Sequence, residues 1–346
     1  MQIESYFSNK RKKKGLTLAL LTVVLILGMV SLLVGQYGIS LVQTIRYAFG
    51  LDNGREAELI RRIIVNIRLP RTISSIVIGG VLAICGLTYQ CVFRNTLVSQ
   101  DVLGVSTGAC VGAAVGIVLG LPALGIQAVS FGMGILTIVL VFLLSSRIKA
   151  DRTLSLILSG ILVGGAMSSA LALIKFLCNP ERHLQDIVFW TMGDISSISM
   201  EQLAYVAVPI FICVLVIFLK SWHLNYFCYS DSEARSVGVN INLYRIIFIV
   251  CATVLVATAV SISGSIGWIG LVIPQLTRLI VGTDNRNTVP TAFLMGSLFL
   301  LTVDLINRTI SAAELPVSII SGLLGLPIFI ICWFINQKQR KGLQND

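Results

Sequence analysis

The sequence has little charge and almost no histidine. Of its 346 residues only 12% are charged, while 55% are hydrophobic. An ordinary soluble domain carries about 25% charged residues, so this composition excludes a cytosolic globular protein. It also excludes a nucleic-acid binder, although the formal charge is +10. Disorder is excluded as well, because a chain with a mean hydropathy of +0.89 has too much apolar surface to stay unfolded. The two histidines, His183 and His223, are isolated from each other, which leaves no histidine-built metal or haem site. The eight cysteines form no C-x-x-C pair; Cys85, Cys110, Cys213, Cys251 and Cys332 lie in apolar runs, where cysteine acts as a small hydrophobe. No phosphate-cradling G-x-x-x-x-G-K-[ST] occurs, nor H-E-x-x-H, nor G-x-S-x-G. The sequence therefore predicts no catalytic residue, no metal ligand and no cofactor.

What is present is apolar length. Uncharged runs cover 15–45, 72–93, 102–146, 153–174, 202–219, 246–277, 287–303 and 315–337. A crossing helix needs about 20 residues, so 102–146 is expected to break near Gly120-Leu121-Pro122 and 246–277 near Gly264, Gly267 and Gly270. The expectation is an all-α, polytopic membrane protein with ten transmembrane helices, residues 1–346 forming one transmembrane domain in the lipid bilayer. Both ends are basic, through Lys10 to Lys14 and through Lys338, Arg340 and Lys341. The positive-inside rule puts both in the cytoplasm, with 1–14 a basic start, 221–244 the longest inner loop and 337–346 a tail. Leu16–Gly35 is long for a signal peptide and no A-x-A site follows it, so it reads as an uncleaved first helix.

On the predicted outer side, 46–71 holds Arg46, Arg55, Arg61, Arg62, Arg68 and Arg71 against Asp52, Glu56 and Glu58. Basic residues are usually kept out of translocated loops. The cluster reads either as an amphipathic helix over 55–67 lying on the membrane or as a docking surface for an acidic partner. Gly108, Gly112, Gly116 and Gly120 give the third helix a smooth packing face, with a weaker version at Gly160, Gly164 and Ser168. Lys175, Arg278 and Asp304 fall near predicted helix ends, where snorkelling eases the cost of charge. No convincing ion site sits mid-membrane, so the energy for transport is expected from a separate subunit; an ion-coupled secondary transporter would need such a site. In the inner loop, Ser230-Asp231-Ser232-Glu233 forms a capping box, and Gly238 can end the helix it starts. A helix of two turns needs something to pack against.

An ordered series of motifs completes the reading. Arg68-Leu69-Pro70-Arg71 precedes Gly79-Gly80 through Gly86 and Gln90, then Arg94-Asn95-Thr96-Leu97 and Leu103-Gly104-Val105-Ser106-Thr107-Gly108-Ala109. Leu158-Ser159-Gly160, Trp190-Thr191-Met192-Gly193 and Ala234-Arg235-Ser236-Val237-Gly238-Val239 follow. Gly264 to Gln275, Asp304 with Arg308, Glu314-Leu315-Pro316 and Gly325-Leu326-Pro327-Ile328-Phe329 close it. From about residue 60 to 335 the chain resembles the FecCD-type permeases of ABC importers for iron–siderophores, haem and vitamin B12.

The resemblance implies the type II ABC importer permease fold and a bacterial cytoplasmic-membrane location. It also implies a second permease subunit, two cytoplasmic ATPases that bind and hydrolyse ATP, and an extracytoplasmic substrate-binding protein. The cargo it implies is an iron–siderophore complex, with vitamin B12 or haem as the alternative. Arg68, Arg71 and Arg308 match the family's contacts to glutamates of the binding protein. Asp231, Ser232, Glu233, Ala234, Arg235, Ser236, Val237 and Gly238 match its coupling helix, seated in the ATPase. Asn95 and Leu97, with Thr153 and Leu154, match a cytoplasmic gate. Gly164, Gly165, Ala166, Ser168 and Ser169 match an inert pore wall. Two positions depart from the pattern: Thr96 stands for a proline and Gln275 for a histidine.

Overall fold

The computed structural model describes residues 2–35, 55–310 and 315–345. Arg46, Asp52 and Glu314 lie outside the described residues. Those described form helices and turns, with no strand among them. In chain order the helices are α1 (Gln2–Leu33), α2 (Arg55–Arg62), α3 (Leu69–Val92), α4 (Val105–Val118), α5 (Ala123–Ser145) and α6 (Arg152–Leu177). They continue as α7 (Gln185–Thr191), α8 (Met200–Lys220), α9 (Asp231–Ser236), α10 (Ile241–Ser263), α11 (Ile269–Val281), α12 (Asn285–Ile310) and α13 (Val317–Asn345). A 3-10 segment, Ser221–Cys228, joins α8 to the loop before α9.

Among the described residues, 8 helical stretches are long and apolar enough to cross a membrane. The expected splits at 120 and 264 both occur, but the helices they release, α4 and α11, are short. At 14 and 13 residues each rises only about 20 Å, so the ten expected helices appear as eight of full length and two short ones.

The amphipathic helix expected to lie on the membrane is not a separate element. α2 runs on through a π turn, Ile63–Arg68, into α3 without a break. Pro70, inside the first turn of α3, has no N–H to donate and its ring crowds the carbonyl four residues back. A wider turn just upstream absorbs that misfit, as π turns commonly do.

Helices α3 and α10 form the middle of the bundle and are mostly buried, whereas α1, α6, α8 and α13 keep most of their surface outside. The middle is dense because glycines let backbones touch. Gly79 of α3 meets Gly296 of α12, and Gly86 of α3 meets Gly270 of α11, each where a Cβ would strike the opposing carbonyl. The Gly108 and Gly112 face of α4 lies on α5 in the same way, against Thr137 and Val129, as the small-residue spacing predicts. Gly116 meets Ile126, but Gly120, expected on the same face, lies past the end of α4 at φ +67 with nothing within 4 Å.

The break between α10 and α11 is where several motifs converge. Gly264 has φ +66, a backbone that a side chain would strain. Away from water every peptide group here needs a partner. Asp194 N donates to Ser263 O at 2.8 Å, Gln100 Nε2 to Ile266 O at 3.0 Å and Ser318 Oγ to Ser265 O at 2.6 Å. Val317 N reaches back to Gly193 O at 2.9 Å. The Trp190–Gly193, Gly264–Gln275 and 315–325 segments thus close one another's hydrogen bonds.

These crossings yield a test. Gly86→Ala should cost about 1–3 kcal/mol of stability, as overpacking generally does. Gly132→Ala, where nothing lies within 4 Å of the added methyl, should be silent in the same thermal-unfolding assay in detergent.

Candidate functional site

The short helix predicted from its capping box is present. Ser230 N donates to Glu233 Oε2 at 2.8 Å and Glu233 N donates to Ser230 Oγ at 3.3 Å, closing the box. The Ser230 backbone N–H and its hydroxyl, which also donates to Glu233 Oε2 at 2.8 Å, hold the Glu233 carboxyl below its ordinary pKa. Gly238 ends the helix at φ +80, with Val239 N bonded to Ala234 O at 3.1 Å. Ala234 is buried inward, whereas Val237 is exposed. Six residues cannot hold a helix in water, and what holds α9 is Asp231. Its carboxylate accepts from Arg94 at 2.7 Å, and its two oxygens from Arg245 at 3.1 Å each. Burial raises the Asp231 pKa, but the bonds and charges of the two arginines outweigh it and hold the group below its ordinary value. A lowered carboxylate pKa stabilises the fold fully above the ordinary value near 4 and loses that effect only as pH falls through the lowered one. At neutral pH this tie is charged.

Arg94 places α9 against the loop that leaves α3. Its Nε also donates to Phe227 O at 2.7 Å, and its backbone takes φ +52, uncommon for a residue with a side chain. The following residues, Asn95 to Leu97, are exposed, with Asn95 Oδ1 accepting from Leu97 N at 2.9 Å. Three polar side chains fix this loop from behind. Gln275 Nε2 donates to Thr96 O at 2.9 Å, Gln90 Nε2 donates to Val98 O at 3.1 Å, and Arg278 donates to Gln90 Oε1 at 2.5 Å. The two positions that depart from the family pattern, Thr96 and Gln275, are therefore bonded to each other. A cavity of about 640 Å³ opens here, walled by Arg94, Leu97, Gln275, Arg278 and Trp333.

On α6, Leu154 is exposed and Thr153 donates its backbone N–H to the capping Asp151 at 3.0 Å. Further along the same helix Gly165, Ala166, Ser168 and Ser169 are exposed, and Gly164 is half-buried beside Gly104. Among the described residues, no hydrogen bond or ion pair joins Thr153 and Leu154 to Asn95 and Leu97.

Arg68, Arg71 and Arg308 gather at the other end of α3, about 36 Å away along its 24 residues. They do not project from the surface: all three are buried, at 4%, 4% and 7% exposure. Arg71 Nε donates to Asp304 Oδ1 at 2.7 Å, and Arg308 pairs with the other oxygen of Asp304. Arg308 also donates to Ser31 O at 3.0 Å, and Arg68 to Leu32 O and Leu33 O at 2.9 and 2.8 Å. The cluster sews the end of α1 to α3 and α12. Asp304, expected to snorkel at a helix end, is instead fully buried between two arginines.

With this geometry in view, the ordered series of motifs can be placed. The FecCD transport family matches residues 22–335. The chain belongs to that family. It is 34% identical over 335 residues to the molybdate import system permease protein of Haemophilus influenzae, covering 96% of this chain and 97% of the relative. It is 33% identical over 284 residues to the hemin transport system permease protein of Yersinia pestis, covering 80% and 85%. A solved transporter assigned to the metal-chelate ABC type, in an inward-facing conformation, superposes with a TM-score of 0.85 at 32% identity, covering 93% of this chain and 99% of that one. This FecCD chain is thus a multi-span permease, a transport component of an ABC importer.

Several residues that organise the permease were not singled out as site residues. Asp304, Gln90, Gln275, Arg278 and Arg245 act through partners more than 150 residues away or on another helix, which spacing alone does not reveal. The signal available was polarity inside apolar runs: Gln90 and Gln275 each interrupt one. Lys175, expected at the membrane interface, reaches Thr191 at 3.4 Å. His223 stacks on Tyr244 with ring centroids 4.0 Å apart.

The Asp231 tie makes an asymmetric prediction. Asp231→Asn strands the charge of Arg245, which is 2% exposed, and breaking a buried pair from one side is strongly destabilising. Arg94→Gln loses a partly exposed pair worth about 1 kcal/mol or less. Thermal unfolding of the two purified variants should show the larger drop for Asp231→Asn.

Proposed function

We propose that this FecCD permease carries an iron–siderophore complex across the cytoplasmic membrane of a bacterium, working as one of two permease subunits. ATP hydrolysis in two cytoplasmic partners would drive it, and an extracytoplasmic binding protein would deliver the cargo. The observation that carries this reading is the tie between α9 and the loop 94–98. Within 231–238, Asp231–Ser236 form a helix too short to serve the bundle, with Val237 exposed just past its end, and its anchor Asp231 is shared with Arg94 beside Asn95 and Leu97. A push on that helix has a direct route to the loop.

In this reading both termini and the coupling helix face the cytoplasm, and the whole chain acts as one transmembrane domain. Asn95, Leu97, Thr153 and Leu154 close the inner mouth. Gly164, Gly165, Ala166, Ser168 and Ser169 of α6 line the path, where small, uncharged residues let a bulky chelate slide without strong binding. Arg68, Arg71 and Arg308 serve the binding protein. Because all three are engaged inside the chain, a carboxylate on that partner has to compete with Asp304 and the backbone acceptors.

One observation favours a second cargo: a relative matched along nearly the whole chain is named for molybdate import. Cells relying on this permease, its ATPase and its binding protein should accumulate radioactive iron supplied as a siderophore and ignore labelled molybdate. Molybdate uptake without iron uptake transfers the reading to the oxyanion. Docking is separable from folding by two variants. Arg68→Glu with Arg71→Glu should abolish capture of the binding protein, whereas Asp304→Asn, which loosens the same cluster without placing an acid beside the partner, should retain it. Equal loss in both would assign the arginines to the fold alone.

A further inference from the structure

Between the ends of α5, α6 and α10, on the coupling-helix side, lies a cavity of about 380 Å³ to which no transport role was assigned above. Its walls include Phe142 and Ser145 of α5, Arg152 and Ser155 of α6, and Arg245 and Ile246 of α10. Arg245 is the key residue. It is 2% exposed, and its terminal nitrogens are committed to Asn242 Oδ1 at 3.0 Å and to Asp231 at 3.1 Å. Its buried Nε finds no acceptor among the described residues. A charged donor left over in a buried wall is costly, and arginine satisfies that donor best with an oxyanion.

The surrounding charge agrees. Arg152 stands exposed at the rim, and Arg147 and Lys149 are exposed on the connecting loop 146–151. Of the acids facing the site, Asp151 accepts from Thr153 N as the cap of α6, and Asp231 is taken by its two arginines. The site thus keeps a positive excess. Part of its wall is apolar, through Phe142 and Ile246; Ile246 is 41% exposed and Leu143, next to Phe142 in the chain, is 61% exposed.

We propose that this cavity binds a phosphate group, with Arg245 Nε and Arg152 as its donors, and that an anionic phospholipid headgroup supplies it. A basic recess between helices, with acyl-compatible side chains beside it, is the chemistry by which membrane proteins hold such headgroups. Free phosphate offers the same oxygens but has no use for the apolar wall. An occupant would brace the start of α6, next to Thr153 and Leu154, against Arg245 and hence Asp231.

The test is native mass spectrometry of the full chain, in its assembled transporter, with phosphatidylglycerol, phosphatidylcholine and inorganic phosphate as probes. Phosphatidylglycerol should be retained over phosphatidylcholine. Retention should fall about fivefold in Arg152→Gln, the worth of one basic contact at a lipid surface, and similarly in Ile246→Trp, which fills the recess. Unfolding temperatures of both variants without lipid should stay unchanged. Arg245→Lys, which keeps the charge but removes Nε, should lose retention as well. Displacement by millimolar phosphate would assign the site to the free ion, and resistance to it would assign the headgroup. Equal retention of the two lipids with no phosphate bound, or undiminished retention in both Arg152→Gln and Ile246→Trp, would overturn the proposal.

Discussion

One carboxylate, Asp231, ties together the end of the bundle where α9 docks. It sits between Arg94, which leaves α3, and Arg245, which opens α10, and it is the first residue of a helix too short to persist on its capping box alone. The arginines come from opposite sides of a polypeptide gap of about 150 residues, so a single group fixes the distance between two central helices and the capped helix α9. The chemistry suits the task. Arg245 is buried and cannot easily release its partner, whereas Arg94 is partly exposed and can. The tie is therefore firm toward the bundle and softer toward the loop 94–98.

The opposite end obeys the same constraint in a different form. There burial inside the bundle keeps water from the charges, and Asp304 pairs with both Arg71 and Arg308 while Arg68 and Arg308 satisfy the open carbonyls of α1. Between the two ends α3 is held by glycine-to-glycine contacts with α11 and α12. Such contacts leave little slack, so displacement at one end is felt along the helix rather than absorbed within it.

Much of this was readable from residue types because those residues act locally. The capping box at Ser230 and Glu233, the stop at Gly238, the glycine face of α4 and the break at Gly264 depend on neighbours within a few positions, and each is where the sequence puts it. The π turn before Pro70 was not readable, because a helix that starts at a proline and one that passes through it share the same local signature. The burial of Arg68, Arg71 and Arg308 was hidden for a related reason: an arginine at a helix end looks the same whether its acceptor is a partner protein or an aspartate 233 residues away. Gln275 and Thr96 stood out one by one as departures from a pattern, and only the fold shows that they meet.

The central claim is that the short helix and the loop beside it move as one piece. Spin labels at Val237 and Leu97, both exposed, would report it by pulsed electron resonance in the assembled transporter with and without ATP. The account predicts an unchanged Val237–Leu97 distance within each chain while the distance between the two Leu97 positions of the paired permeases shifts. A Val237–Leu97 distance that changes with nucleotide while the inter-subunit distance stays fixed would contradict it.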